Sequence, residues 1–265
     1  MIAATSHQAI SARRIRHARD VIAVLIARDL KILYKRSSLG FGWALVSPLL
    51  QVLIFVLVFR RVLGSYVDNY ASFVFTGVLV WGWFNASLHQ STGLITSSRA
   101  LVRQPRFPLE LLPHVTVAVR LFHFALALPF LFGLLWWQGI EAQWSWAAVP
   151  LLIVLQFALT VAIAFPLAAL NVRRRDTQHV TAVLLQLMMY LTPVFYPLDV
   201  IPESLRSWYY LNPMVALLGA WRDVLLHGQW PNPVHLAALI LLAAALLVAG
   251  RRLFIRQSRQ FLEEM

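Results

Sequence analysis

Long apolar runs are the feature of this sequence that most restricts its fold. Residues 41–59 contain no charged side chain and lie between Lys35-Arg36 and Arg60-Arg61. A helix needs roughly 20 apolar residues to cross a bilayer core about 30 Å thick. Similar runs recur along the chain, of which 60% is hydrophobic and only 13% is charged, whereas a soluble domain carries about 25% charged residues. The sequence therefore predicts an all-α integral membrane protein.

The apolar runs are predicted to form six transmembrane helices within one membrane domain of residues 38–256. We place the spans at 41–60, 71–92, 115–137, 145–171, 179–198 and 233–252. The flanking segments, 1–18 and 257–265, are predicted to lie in the cytoplasm. The first run follows an arginine-rich, helix-like stretch and is long enough to span, so we expect no cleavable signal peptide.

The distribution of lysine and arginine predicts the orientation of these spans. Eighteen of the 23 basic residues lie in the two termini and in every second loop, whereas four lie in the opposite loops. Because basic loops stay in the cytoplasm, both termini are predicted to be cytoplasmic. The formal net charge of +12 is then explained by basic residues that set the orientation of the spans and lie beside anionic lipid headgroups. A nucleic-acid partner would require a basic face on a soluble fold, and we expect none.

Residues 19–37 precede the first span and are predicted to form an amphipathic helix at the cytoplasmic membrane interface. Basic side chains occupy one helical face, and apolar side chains recur at helical spacing on another. The apolar positions are Ile22, Leu25, Ile26, Leu30 and Leu33, and the basic positions are Arg28, Lys31 and Lys35. A soluble surface helix would show the same pattern, but the sequence offers no soluble core on which it could pack.

The segment between the fifth and sixth spans, residues 200–227, contains two apolar pieces that are too short to cross. They cover about 201–211 and 213–226 and are separated at Asn212-Pro213. Pieces of this length are often re-entrant or interfacial, and re-entrant backbone needs protein or a water-filled cavity around it. The residues alone leave two interpretations open: a pair of short gate helices at the mouth of a pathway, or an ordinary structured outer loop.

The sequence lacks the motifs with which this chain could supply its own energy or catalyse a reaction. None of its eleven glycines is followed by lysine, so the phosphate-binding P-loop motif is absent. All eleven acidic residues lie outside the six predicted spans, which disfavours proton or sodium coupling. No H-E-x-x-H zinc motif occurs. We therefore expect no enzymatic activity, no metal site and no cofactor in this chain.

Arg120 is the only lysine or arginine that lies inside a predicted span away from its ends. A charged side chain at that depth must reach the headgroups, pair with another group or face water. Two interpretations stay open from the sequence. The guanidinium either snorkels to the cytoplasmic headgroups, or it lines a pathway or pairs across a subunit interface.

Aromatic side chains are abundant, with ten tryptophans, seven tyrosines and sixteen phenylalanines. A ring inside a span packs by default against lipid. A ring with a polar tip would also suit a passage for sugars, because its broad apolar face can contact the C–H groups of a sugar. The candidates for a substrate pathway are Trp43, Phe55, Phe59, Trp81, Trp83, Tyr190, Phe195 and Tyr196.

Several short motifs follow one another in order along residues 28–230. They are Arg28-Asp29-Leu30-Lys31 with Tyr34, Ser38-Leu39-Gly40, Trp43 and Pro48; residues 106–113 (RFPLELLP); residues 171–176 (NVRRRD); residues 190–197 (YLTPVFYP); and Ile201-Pro202 and Asn212-Pro213. In this order they resemble the ABC exporter permeases for cell-surface polysaccharides. The likeness is greatest to O-antigen export permeases, with teichoic acid and capsule export permeases as relatives.

The resemblance implies six transmembrane helices, an interface helix and two gate helices, in a homodimer that joins two copies of a separate ABC ATPase subunit. The ATPase would bind ATP and Mg. A channel between the protomers, chiefly from the first and fifth spans, would carry an undecaprenyl-diphosphate-linked polysaccharide across the bacterial inner membrane. Residues expected to couple to the ATPase are Arg28, Asp29, Lys31, Arg103, Arg106 and Glu110, and residues expected in the gate are Pro193, Pro197, Pro202, Asn212 and Pro213.

Other functions stay open beside O-antigen export. A permease of the same fold could export teichoic acid, capsular polysaccharide, a drug or a small lipid. A membrane-bound enzyme that modifies glycans would belong to a different class. Such an enzyme would need paired carboxylates or a histidine cluster at the membrane surface, and the sequence shows no such cluster.

Overall fold

The computed structural model describes residues 19–32, 35, 42–58, 68–104, 107–258 and 261. Throughout these ranges the secondary structure is helical, without a strand. The side chains of residues 44, 45, 48 and 55 fall outside this description. Two predicted site residues, Phe59 and Arg106, lie outside the described residues, as does the predicted N-terminal segment 1–18.

Eleven α-helices form the described part of the chain. They are α1 (19–32), α2 (Trp43–Val56), α3 (Tyr70–Thr92), α4 (Leu94–Ser97), α5 (Arg99–Val102), α6 (Leu111–Trp137), α7 (Val149–Arg173), α8 (Thr177–Leu191), α9 (Glu203–Tyr209), α10 (Pro213–Arg222) and α11 (Pro233–Ser258). A 3-10 turn, Trp144–Ala148, leads into α7, and a π-helical turn, Asp223–His227, extends α10.

Within the described residues, four helices are long and apolar enough to cross a membrane. They are Tyr70–Thr92, Leu111–Trp137, Trp144–Arg173 and Pro233–Ser258, which correspond to the second, third, fourth and sixth predicted spans. The first and fifth predicted spans contain α2, with 14 described helical residues, and α8, with 15. The structure thus shows a multi-pass helical protein, and the count of six spans stays a prediction.

The fifth predicted span, 179–198, is longer than the helix found there. Helix α8 ends at Leu191, and Thr192 adopts an extended conformation with φ −98° and ψ 135°. Pro193 explains this ending, because a proline disfavours the helical conformation in the residue before it. Fifteen residues cover roughly 22 Å along a helix axis, which is less than the thickness of the bilayer core.

Helix α3 lies at the centre of the bundle. It contacts α2, α6, α7, α8 and α10, and most of its side chains are buried. Its buried side chains include the hydroxyls of Ser72, Thr76 and Ser87, so protein and not lipid surrounds most of this helix. Of the other spanning helices, α6 and α7 pack against α3, and α11 packs most extensively along α7.

Contacts between distant residues define the two ends of the bundle. At one end, Asn69 before α3, Ile140 after α6 and Asn232 before α11 line the same cavity. At the opposite end, Glu110 before α6 forms an ion pair with Arg251 on α11. The charge distribution predicts that the Glu110 end is cytoplasmic, and we use the terms outer and cytoplasmic end in that sense.

The first helix has the two faces that its sequence predicts. Leu25 is buried, and Ile22, Ile26 and Leu30 pack partly buried against the core of the bundle. Arg28 and Lys31 are exposed. The described helix ends at residue 32, and the position of the whole element at a membrane interface stays a prediction.

Two short helices occupy the segment between α8 and α11, where two apolar pieces are predicted. Asn212 begins the second of them as an N-cap, because its side-chain oxygen accepts a hydrogen bond of 3.0 Å from the amide of Met214. Pro213 follows at the first helical position, which tolerates the missing amide. Helix α9 has no buried residue, whereas α10 buries Trp221 and Arg222.

Candidate functional site

Four of the residues predicted for coupling, Arg28, Asp29, Lys31 and Arg103, are described and have exposed or partly exposed side chains. Arg28 donates from Nε and Nη2 to one carboxylate oxygen of its neighbour Asp29, at 2.8 and 2.7 Å. Lys31 is exposed on the same helix, and Arg103 is exposed directly after α5. Arg28, Lys31 and Arg103 are therefore accessible to a partner protein.

Glu110 connects two distant parts of the chain at the cytoplasmic end. Its carboxylate accepts from Nε of Arg251 at 2.9 Å and lies 2.8 Å from Nη2 of the same arginine. The Glu110 backbone carbonyl lies 3.0 Å from Nδ1 of His114. The segment before α6 is thus tied to α11, and sequence reasoning did not pair Glu110 with a residue 141 positions away.

Three of the aromatic candidates are buried inside this one chain. Trp81, Trp83 and Phe195 have 2%, 3% and 4% of their surface exposed. The indole of Trp83 donates to the Val117 carbonyl at 3.2 Å and stacks on Phe124 at a centroid distance of 5.1 Å. These rings fill the space between α3 and its neighbours, so they present no face to a molecule passing along the described surface.

Other aromatic candidates lie on the surface. Trp43 on α2 and Tyr190 on α8 are 52% and 61% exposed. The hydroxyl of Tyr196 donates a hydrogen bond of 2.7 Å to the Tyr190 carbonyl, which holds these two tyrosines close together. The side chain of Phe55 and the whole of Phe59 lie outside the described residues.

Helices α2 and α8 each carry a strip of exposed apolar side chains next to these rings. The strip on α2 consists of Leu49, Leu50, Leu53 and Ile54, and the strip on α8 consists of Val180, Val183, Leu184 and Leu187. Within one chain these side chains are not covered. Such strips are suited to lipid or to another membrane protein, since an apolar surface of this size is unfavourable in water.

The predicted gate residues gather around the short segment that follows α8. Pro193 begins this segment, and Pro197 precedes a 3-10 turn. Pro202 and Asn212 precede α9 and α10, respectively. The side-chain amide of Asn212 donates to Oγ1 of Thr192 at 2.8 Å, so the start of α10 is tied to the end of α8.

Arg222 is the residue of this region that sequence reasoning missed. By sequence it is one of four basic residues in outer loops, but only 5% of its surface is exposed. Its Nη1 donates to the Pro193 carbonyl at 2.6 Å, and its Nη2 donates to the Val194 carbonyl at 2.7 Å. The guanidinium carbon lies 3.4 Å from the centroid of the Phe73 ring. An arginine inside the second short apolar piece, 213–226, gives no sequence signal for these partners.

A cavity of about 530 Å³ lies beside this segment at the outer end. It separates α10 from the start of α11, and its lining includes Pro193, Pro197 and Arg222. Tyr210 and His235 also line the cavity, with their rings 4.8 Å apart. The segment after α8 therefore borders an open space on the side of α10 and α11.

Arg120 has a partner within the chain. Its Nε donates to the side-chain oxygen of Gln90 on α3 at 2.8 Å. Gln90 lies two residues before the end of α3, so Arg120 contacts the neighbouring helix toward the cytoplasmic end. This contact is internal to the protomer, and the two interpretations of Arg120 from the sequence stay predictions.

The sequence of residues 20–226 matches the model of the family described as ABC-2 type transporter. This match covers most of the chain. The chain belongs to the ABC-2 type transporter family. Its members are transport proteins, so the buried polar contacts and exposed apolar strips of this ABC-2 family member are parts of a membrane transporter.

Individual relatives match this family member over nearly its full length. The O-antigen export system permease protein RfbA of Myxococcus xanthus is 34% identical over 255 residues, which are 96% of this chain and 98% of the relative. A protein of the same name from Klebsiella pneumoniae is 29% identical over 92% of this chain and 94% of its own length. The capsule polysaccharide export inner-membrane protein CtrC of Neisseria meningitidis serogroup A is 26% identical over 87% and 90%.

Proposed function

We propose that this chain is the permease subunit of an ABC exporter that moves a lipid-linked polysaccharide of the O-antigen type across the bacterial inner membrane. The observation that carries the proposal is the similarity, along almost the whole of both chains, to proteins named O-antigen export permeases. The capsule export proteins are 21–26% identical to this chain, against 27–34% for the O-antigen permeases. Export of an O-antigen is therefore favoured over export of a capsular polysaccharide.

The energy for transport is proposed to come from a separate ATPase subunit that binds ATP and Mg. This chain has no P-loop, so it needs a partner for nucleotide hydrolysis. The exposed charged residues at the cytoplasmic end, Arg28, Lys31 and Arg103, are suited to that contact. Asp29, Arg106 and Glu110 complete the proposed coupling surface, which predicts that both termini lie in the cytoplasm.

Two copies of the chain are proposed to enclose the pathway between their α2 and α8 helices. The exposed apolar strips on these two helices support this arrangement, because a second copy would cover them. Trp43, Tyr190 and Tyr196 are the aromatic residues that we retain for the pathway. Trp81, Trp83 and Phe195 are left out, since they are buried against their own chain.

The remaining architectural proposals follow from the same arrangement. Helices α2 and α8 are proposed to belong to the first and fifth of six spans, and α9 and α10 are proposed to be the gate helices at the outer end. Helix α10 is anchored by buried side chains, whereas α9 buries none. Movement at the gate is therefore expected chiefly in α9.

Deletion of the gene for this chain tests the proposed function in the source bacterium. We expect the lipid-linked polysaccharide to accumulate inside the inner membrane while surface polysaccharide disappears, because synthesis continues without export. The measurement is gel analysis of surface polysaccharide together with mass analysis of the lipid-linked intermediate. A plasmid copy of the wild-type chain is the control, and unchanged surface polysaccharide in the deletion strain would contradict the proposal.

Alanine at Tyr190 tests the aromatic pathway. We expect polysaccharide export to fall several-fold, because the variant removes a ring face that would contact the sugars. Tyr190→Phe keeps the ring and should export normally. The matched control is Phe130→Ala, which removes a ring on α6 that is 49% exposed. Export is measured against the amount of protein in the membrane; equal export by Tyr190→Ala and wild type would remove Tyr190 from the pathway.

A further inference from the structure

The buried guanidinium of Arg222 is an unusual feature of the outer end. Burying a charge without compensation is costly, and none of the salt bridges found in the described residues involves Arg222. Backbone carbonyls compensate the charge instead. Planar guanidinium groups suit this role because their donors diverge at fixed angles toward several acceptors.

The carbonyls that bind Arg222 belong to the segment directly after α8. Pro193 and Val194 each accept one hydrogen bond from it, at 2.6 and 2.7 Å. The next carbonyl, that of Phe195, accepts from the hydroxyl of Tyr70 on α3 at 2.8 Å. Three successive carbonyls are thus held by side chains from two other helices, and a cation placed close to the C-terminus of α8 is also favoured by the helix dipole.

Gly77 lets the same segment lie directly on α3. A Cβ atom at Gly77 would be 2.7 Å from the Val194 carbonyl oxygen and 3.0 Å from Nη2 of Arg222. Both distances are shorter than a normal carbon contact, so a side chain at this position would push the segment away. Gly77 and Arg222 therefore fix one backbone position, from α3 and from α10.

We infer that Arg222 is a positioning residue for transport, which holds residues 193–194 and the outer end of α8 in the closed conformation of the pathway. The cavity that Pro193 and Arg222 line provides the space into which the segment moves when this contact is released. The inference rests on the proposed function only in taking α8 to line the pathway. Arg222 need not contact the polysaccharide itself.

Two variants release the contact in different ways. Arg222→Met removes the donors and keeps an unbranched side chain, and the stability lost through the unpaired carbonyls is measured separately. Gly77→Ala keeps the guanidinium but displaces the Val194 carbonyl. The matched control is Trp221→Phe, next to Arg222 on α10, which removes a buried hydrogen bond of 3.0 Å to Gln156 of α7 and leaves the 193–194 carbonyls untouched.

The measurement is ion leak through the purified chain in liposomes of bacterial lipid, without ATPase and without polysaccharide. We expect Arg222→Met and Gly77→Ala to leak about tenfold faster than wild type, as a closed state weakened relative to an open one would. Arg222→Lys keeps the charge but lacks the planar guanidinium group that binds two carbonyls at once. This variant should leak more slowly than Arg222→Met and faster than wild type. Trp221→Phe should leak no faster than wild type. Thermal unfolding of each sample reports its folded fraction.

The results separate this inference from a purely structural role and from the proposed function. The inference is overturned if folded Arg222→Met and Gly77→Ala leak no faster than wild type. It is also overturned if both variants only lower the folded fraction, because Arg222 then serves stability. Neither result bears on polysaccharide export, which the deletion strain tests. If the two variants leak and the deletion strain still has normal surface polysaccharide, Arg222 holds the pathway closed in a transporter of a different substrate.

Discussion

Alanine at Gly250 is expected to destabilise the folded protein by about 1–3 kcal/mol, the usual cost of inserting a methyl group into close packing. Gly250 lies on α11, where a Cβ atom would be 2.7 Å from the Ala162 carbonyl oxygen and 3.0 Å from Cδ of Pro166. A backbone carbonyl cannot rotate away from the added methyl group as a side chain can. The pairing of α7 and α11 would therefore have to open.

Pro166 explains why α11 approaches α7 at this point. Proline has no amide hydrogen, so the Ala162 carbonyl four residues earlier loses its helical donor. The backbone of Gly250 covers that carbonyl, and a small residue at the contact allows two membrane helices to pack closely. A larger side chain would disrupt the helix packing and would also expose the Ala162 carbonyl. The expected loss of stability is therefore larger than for a methyl group added at the protein surface.

Gly133 provides the matched control for Gly250. It also lies inside a spanning helix, but no atom lies within 4 Å of the position that an added methyl group would take there. Alanine at Gly133 should raise stability by roughly 0.5–1 kcal/mol, because alanine loses less backbone entropy in a helix. Thermal unfolding in detergent measures both variants, and equal stability of Gly250→Ala and Gly133→Ala would contradict the packing argument.

The spanning helices could be predicted from the sequence because each depends on a local property. A run of about 20 apolar residues is sufficient reason for a helix in the membrane, so the predicted and described ends of α3 agree within one residue. The fifth predicted span extends past the end of its helix for a local reason too. The apolar run extends to residue 198, but Pro193 and Pro197 in the sequence predict a bend or an end of the helix there, and the helix ends at Leu191.

The side-chain partners at the candidate site could not be predicted in the same way. Whether Trp83 faces a pathway or the core depends on which helix lies against it, and apolar helices such as α3 give no sequence pattern that distinguishes their faces. The contacts of Arg222 join it to carbonyls 28 and 29 residues away in sequence. Neither contact follows from composition, spacing or motif.

Reversal of charge at Glu110 is expected to abolish most transport-coupled ATPase activity. In Glu110→Arg, two guanidinium groups would meet where Glu110 and Arg251 now form a contact of 2.8 Å. Partly exposed ion pairs contribute only about 0–1 kcal/mol to stability, so the variant should still fold. Coupling between sites typically amounts to about 1–3 kcal/mol, and its loss would reduce stimulated ATPase activity about tenfold.

The physical reason lies in the position of the pair. Glu110 ends the segment that leads into α6, next to the surface proposed to receive the ATPase. Arg251 lies on α11, which packs along α7. We expect a displacement of the Glu110 segment to reach α11 through this ion pair. Without the pair, the ATPase could still bind and move the segment, but α11 would no longer follow.

Exchange of the two charges distinguishes transmission from a simple contact with the ATPase. In the double variant Glu110→Arg with Arg251→Glu, the attraction is restored in reverse, so we expect ATPase coupling and polysaccharide export to recover to about half of wild type or more. Arg252→Glu changes the charge of the next residue and serves as the control. The measurement is substrate-stimulated ATPase activity of the reconstituted complex, normalised to bound ATPase subunit. If Glu110→Arg is inactive and the exchange restores nothing, Glu110 acts by contacting the ATPase directly, and the ion pair does not carry the coupling.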